Sequence, residues 1–137
     1  SVRMAAEQAT EEELLSIENC LKECEEALKH TDQLYQNAED GIKMFGKFNH
    51  FHNRVAACTH NKFMQQFMDS IRLLSMDYLM LDIQANPDIL AVLESAYQEH
   101  ARIYSMIRAR DSEGATKAMY QHLMNECCSI QIRIKKD

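Results

Sequence analysis

Helix breakers and large aromatic side chains are scarce in this sequence. It has one Pro, three Gly and no Trp in 137 residues, and Phe, Trp and Tyr together make up 7%. With so few breakers and so many Glu, Lys, Gln, Leu, Ala and Met, the chain reads as helical throughout, which leaves little room for a turn-rich β architecture. No run of about eighteen apolar residues exists, so no membrane span is expected. No secretory signal is visible, and the expected location is the cytoplasm. Basic residues are outnumbered, 15 Lys and Arg against 21 Asp and Glu, for a net charge of -6 and a pI near 5.5. Glu7, Glu11, Glu12, Glu13, Glu18, Glu23, Glu25 and Glu26 crowd the early part. Such a surface repels phosphate, so nucleic acid is not a direct partner of this piece. Disulfide design is lacking too: Cys20, Cys24, Cys58, Cys127 and Cys128 are odd in number and irregular in spacing. They read as reduced, mostly buried thiols. Cys20 and Cys24 share a helix face, but a thiolate zinc site usually shows two tight pairs on turns, and that pattern is absent.

What is present is a core. Hydrophobic residues make up 46% of the chain, and the length suits one domain over residues 1–137. The opening Ser1, without an initiator Met, suits a processed or excised piece. Residues 2–9 look like the tail of a helix. Thr10 with Glu13 forms a capping box, and Leu14, Ile17, Leu21, Cys24 and Leu28 then recur at helical spacing, predicting a helix from about Glu11 to Lys29. Thr31 to about Gly41 reads as a connection. A second long helix is predicted over about Ile42 to Cys58, with Met44, Phe48, Phe51, His52 and Val55 inward. A third starts at Lys62, turns Phe63, Phe67, Ile71, Leu74 and Tyr78 inward, and fades near Asp82 to Ala85. Asn86-Pro87 opens the next helix, whose stripe is Ile89, Leu93, Ala96, His100, Ile103 and Ile107. Asp111 caps the last, with Ala115, Ala118, Met119, His122 and Leu123 inward. The expected fold is an all-α, antiparallel bundle of about six helices.

Six histidines occur. His30, His50 and His60 fall at helix ends or off the apolar stripes. His52, His100 and His122 each sit on the inward stripe of a different helix. Burying an imidazole without a partner costs a few kcal/mol. Two readings follow: three separately satisfied core histidines, or one shared divalent metal, since neutral imidazole is the commonest protein ligand for such ions. Periodicity alone does not show that the three stripes meet.

Three stretches, in order, resemble a known family. AAEQATEEELLSIENCL, a small-residue helix end followed by an acidic capped helix, resembles the opening of the FadR-type C-terminal domain, or FCD, of GntR-family bacterial transcription regulators. FHNRVAACTHN resembles its Phe-His pair and the Asn that opens the next helix. EHARIYSMIRARDSEGATKAMYQHL resembles its closing signature, with His100 and His122 separated by 22 residues (122 − 100). The resemblance implies an effector-sensing domain in which His52, His100 and His122 hold a divalent ion. Zinc and nickel are the first candidates, and manganese is compatible. A small carboxylate effector would bind at the metal. The family's Asp or Asn ligand is expected four residues before His52, where this chain has Phe48; Asn49, one residue on, is the candidate stand-in. Arg72 on the third helix is the candidate partner of the effector carboxylate, its fork geometry suited to the task, and Tyr104, one turn after His100, is a candidate cavity residue. The resemblance also implies a homodimer that meets DNA only through an N-terminal winged helix absent from this chain.

Two other classes compete with that reading. A metal-dependent hydrolase would use open positions on a His-held ion, but no general base lies on those stripes, and Glu99, beside His100, projects about a quarter-turn away. A metal-free effector or interaction domain would keep the histidines simply buried.

Overall fold

The computed structural model describes the backbone of residues 1–31, 38–85 and 89–134, and the side chains of residues 1–31, 40–73 and 89–126. It contains six helices: α1 (Val2–Gln8), α2 (Glu11–Lys29), α3 (Ala38–Ala57), α4 (Lys62–Ala85), α5 (Ile89–Arg108) and α6 (Ser112–Ile134). No strand occurs among the described residues. The all-α expectation and the helix count are met. Asn86-Pro87, the inward placement of Leu74 and Tyr78, and most of the connection after Thr31 lie outside the described residues, as do the side chains of Cys127 and Cys128.

Local chemistry sets the boundaries. The predicted capping box is present: Glu13 N–H donates to Thr10 Oγ1 at 3.2 Å, and Thr10 N–H donates to Glu13 Oε2 at 2.8 Å. The same carboxylate meets His60 Nε2 at 3.0 Å, so the start of α2 is tied to the α3–α4 turn. At the same end of the bundle, where Arg110 reaches Ala6 O and Glu11, α5 stops in a Schellman arrangement. Asp111 N–H reaches Met106 O and Arg110 N–H reaches Ile107 O, both at 3.0 Å, with Arg110 left-handed at φ 60°. Asp111 then opens α6 by accepting Gly114 N–H at 2.8 Å. Short turns at both places fold α3 back on α4 and α5 back on α6.

The core is built from the predicted stripes of α2, α3 and α5. Ile17, Leu21, Phe51, Val55, Ile103 and Ile107 form one cluster, joined by Val2, Ala5, Ala6, Ala115 and Ala118 where α1 lies against α5 and α6. Cys24, Met44, Phe45, Phe48, Ile89 and Leu93 form a second.

Two inward assignments are corrected. Phe63 is 76% exposed and Phe67 53%, and Ile71 is also exposed. Among the described residues α4 packs chiefly on α3, and it does so through half-buried Met64, Gln65, Met68 and Arg72. Asn53 on α3 fixes this rotation by donating to Asp69 Oδ1 at 2.7 Å. Periodicity identifies an apolar face but not what covers it. Leu123, beside His122, is 47% exposed for a similar reason: among the described residues of α6, the edge carrying Ala115, Ala118 and His122 faces the bundle.

Thr10→Ala is expected to lower stability by about 1 kcal/mol, the usual cost of an N-cap hydroxyl, as a reduced midpoint in urea with an unchanged slope. An unchanged midpoint would show that His60 and the acidic first turn hold the end of α2 without the cap.

Candidate metal centre

His52 on α3, His100 on α5 and His122 on α6 converge. Their Nε2 atoms stand 3.2 Å (His52–His100), 3.1 Å (His100–His122) and 3.2 Å (His52–His122) apart. His100 and His122 are fully buried, and His52 is half-buried with its Nε2 turned into the cluster. Among the described residues, this is the group of His, Cys, Asp or Glu donors close enough together to hold an ion.

Each ring is aimed by its neighbours. His122 Nδ1 lies 2.6 Å from Glu99 Oε2, a contact that a carboxylate can make only as acceptor. The ring proton of neutral His122 is therefore placed on Nδ1, and Nε2 presents a lone pair to the cluster. Glu99 is held in turn by Asn125, whose amide donates to Glu99 Oε1 at 2.5 Å and whose carbonyl accepts from Gln121 at 3.0 Å. His100 is aimed differently. Its ring stacks on Phe51 with centroids 4.2 Å apart and planes 15° from parallel, while its buried Nδ1 has no hydrogen-bond partner among the described residues. His52 stacks on His122 and stands edge-on to Phe51.

Hydrogen bonding alone does not satisfy this triangle. A neutral imidazole has one N–H, and a straight N–H serves one acceptor. With His122 an acceptor at Nε2, at most two of the three contacts can be hydrogen bonds, and the third sets like against like. A shared cation satisfies all three. Donors bound to one ion at about 2.0–2.1 Å stand about 2.9 Å apart at octahedral angles and about 3.4 Å apart at tetrahedral ones. The observed separations fall between those limits, and the Glu99–His122 contact is the kind of outer carboxylate that orients a ligating imidazole. The residues present fit a divalent ion.

The other candidates are placed as follows. Phe48 is buried, its ring 6.4 Å from that of His100, so an apolar wall stands where a ligand oxygen was expected. Asn49 is half-buried on α3 and Arg72 half-buried on α4, and each makes interactions of its own. The hydroxyl of Tyr104 donates to Glu18 Oε2 at 3.1 Å and accepts from Arg108 at 3.1 Å, so it faces α2. Cys20, Cys24 and Cys58 are buried free thiols. Burial raises the Cys58 thiol to about 11. Surface grooves of about 470 Å³ between α1 and α6 and about 280 Å³ between α2 and α3 do not touch His52, His100 or His122.

Two residues near the cluster were not singled out from the sequence as functional. Glu99 was noticed only as a possible base beside His100, whereas it serves His122 across the α5–α6 seam. Glu126 Oε1 lies 3.4 Å from His122 Nε2. Its spacing, one turn after His122, was the available signal.

Burial, reinforced by His122, lowers the His52 imidazole to about 3. Burial, reinforced by His52 and His122, holds His100 well below the ordinary value of 6.5. Both are neutral donors at pH 7. As pH falls below about 6.5, the unfolded chain takes up protons at these positions that the folded chain refuses, so stability falls with pH, by at most about 1.4 kcal/mol per pH unit for each histidine. Thermal melts of chelator-treated protein should drop by several degrees between pH 7 and pH 5. His100→Phe, which removes a buried titrating group, should flatten that slope, and an equal slope in both proteins would contradict the assignment.

No curated protein sequence matches the chain significantly. The FCD domain family matches residues 1–125. Over that range lie the capped acidic helix, the three converging histidines and the Asp-capped last helix, and the chain belongs to the FCD family, the C-terminal effector-binding domain of GntR/FadR regulators, whose role is regulatory ligand binding and not catalysis.

Proposed function

We propose that this domain is a metal-centred sensor of a small carboxylate. The observation that carries the proposal is the meeting of three Nε2 atoms from three helices within 3.2 Å of one another. His52, His100 and His122 would hold a divalent ion, zinc or nickel first and manganese as a compatible third, with Asn49 as a further oxygen donor beside them. The bound ion would act as a Lewis acid toward an effector carboxylate. Arg72, on the face of α4 turned toward α3, would pair with that carboxylate through its planar fork. Tyr104 lines the same region in this reading, but its hydroxyl already serves Glu18 and Arg108, so an effector contact there has to displace one of them.

Output is by linkage. An effector that binds one packing of the helices more tightly than another shifts the balance between them by that difference in affinity. In the full-length regulator the shift would change how two winged-helix domains of a homodimer are spaced on DNA. The exposed Phe63, Phe67 and Ile71, four residues apart on one face of α4, support a dimer, because a monomer rarely leaves such an apolar stripe in water. No helix of the described residues is long and apolar enough to cross a membrane, in keeping with a regulator that works in the cytoplasm.

Elemental analysis of untagged protein beside His100→Ala tests the centre. Close to one divalent ion per chain, lost in the variant, is expected. No ion after loading with zinc and nickel would exclude the metal and leave a metal-free helical domain. With the ion confirmed, a panel of small carboxylates should raise the melting temperature of the loaded protein. Arg72→Ala should weaken the best of them by roughly 10- to 150-fold, the equivalent of about 1.5–3 kcal/mol for a charge-assisted bond, with metal content unchanged. Equal affinity in wild type and variant would remove Arg72 from the effector site.

A further inference from the structure

Three neutral imidazoles bring no negative charge to a divalent ion. In a buried site that leaves two positive charges to be balanced nearby, and among the described residues Glu99 and Glu126 bring carboxylates to His122. Glu99 is engaged at the far nitrogen of His122, 2.6 Å from Nδ1, and so acts through that ring. Glu126 is on the other side. Its Oε1 is 3.4 Å from His122 Nε2, the nitrogen that faces His52 and His100.

That contact is unfavourable as it stands. Glu99 places the His122 proton on Nδ1, so Nε2 offers only a lone pair, and an ionised carboxylate offers only lone pairs in return. The two gain from each other only through a cation between them, a proton or a metal ion, and the approach of His52 and His100 nitrogens to the same His122 atom favours the metal. A separation of 3.4 Å is also the one expected for two donors on a single tetrahedral ion, about 3.4 Å. The helix makes the pairing a fixed feature, since residues four apart on α6 stand one above the other.

We propose that Glu126 is the carboxylate ligand of this metal centre. The inference rests on the metal reading above. Glu126 stands at the His122 corner of the nitrogen triangle, outside the group of mutually close donors, and its half-exposed side chain would turn inward over the centre to bind the ion. His52, His100, His122 and Glu126 then make a three-nitrogen, one-oxygen donor set that lowers the net charge of the bound ion from two to one. Phe48 contributes no donor, and α6 supplies two of the four.

Cobalt(II) and zinc, added to chelator-treated protein, serve as probes, with affinity read by competition with a chelating dye and coordination read from the cobalt d–d absorption. Four proteins are compared: wild type, Glu126→Gln, Glu99→Gln and His100→Ala. Glu126→Gln should lose at least the roughly 10–100-fold in affinity that even an outer-shell partner costs, and its cobalt spectrum should change. Glu99→Gln should lose affinity while keeping the wild-type spectrum, because its carboxylate only orients His122. A Glu126→Gln protein whose affinity lies within twofold of wild type, with the same spectrum, overturns the assignment of Glu126 alone. A wild type that binds neither ion overturns the metal reading and this inference with it. Circular dichroism of Glu126→Gln checks the fold, and Glu126→Asp, one methylene shorter, should give an intermediate affinity if the carboxylate is a ligand.

Discussion

Three imidazole nitrogens packed within 3.2 Å of one another are the constraint around which this domain is arranged. Each comes from a different helix, so α3, α5 and α6 have to meet at one point. The remaining helices close that meeting place. α2 lies on α3 and α5, and α1 lies on α5 and α6. Deep burial of polar rings is costly where their nitrogens are left unsatisfied. Here the outer nitrogen of His122 is satisfied by Glu99, and His100 is held by the face of Phe51 instead of by a hydrogen bond. The two rings are oriented by different physics, one electrostatic and one dispersive, and both lock the inner nitrogen toward the centre.

Much of this was legible in the sequence because short-range rules wrote it. The Thr10–Glu13 box, the Asp111 cap and the stripes of α2, α3 and α5 all follow from residues three or four apart. So did the three histidines, each conspicuous as a polar residue on an apolar stripe. Their convergence was not legible, since periodicity fixes a helix face and not the neighbour it meets. The same limit explains α4. Phe63, Phe67 and Ile71 mark an apolar face correctly, yet α4 rests on α3 through Met64, Met68 and Arg72 and leaves those residues in water. The role of Glu99 was not legible for a related reason: its neighbour in sequence is His100, from which it projects away, and its partner in space is His122, 23 residues on.

The site is lopsided. Phe48 and Phe51 wall it on the α3 side, and Glu99, Asn125 and Glu126 form a polar rim where α5 meets α6. An anion crossing the phenylalanine wall would be stripped of water with nothing to replace it. The rim offers hydrogen-bonding groups and partial exposure, so a charged ligand of the proposed centre enters there, and there it meets the carboxylate of Glu126. In the proposed sensor, effector and Glu126 would compete for the same cation, and binding one would mean releasing or moving the other.

That competition gives a route from the centre to the first helix. α6 carries His122 and Glu126 toward its middle, and near its start Ala115 and Ala118 lie against Val2, Ala5 and Ala6 of α1. Small residues on both sides of this seam let the helices approach closely, and a close-packed seam does not absorb a displacement by compressing. In the proposed sensor, a ligand that draws Glu126 away from His122 moves α6, and a moved α6 has to carry α1 with it or break the alanine packing. The fold thus connects the histidine cluster to the first element of the chain through a single helix, and the alanine seam, not the histidines, is where that connection is tight or loose.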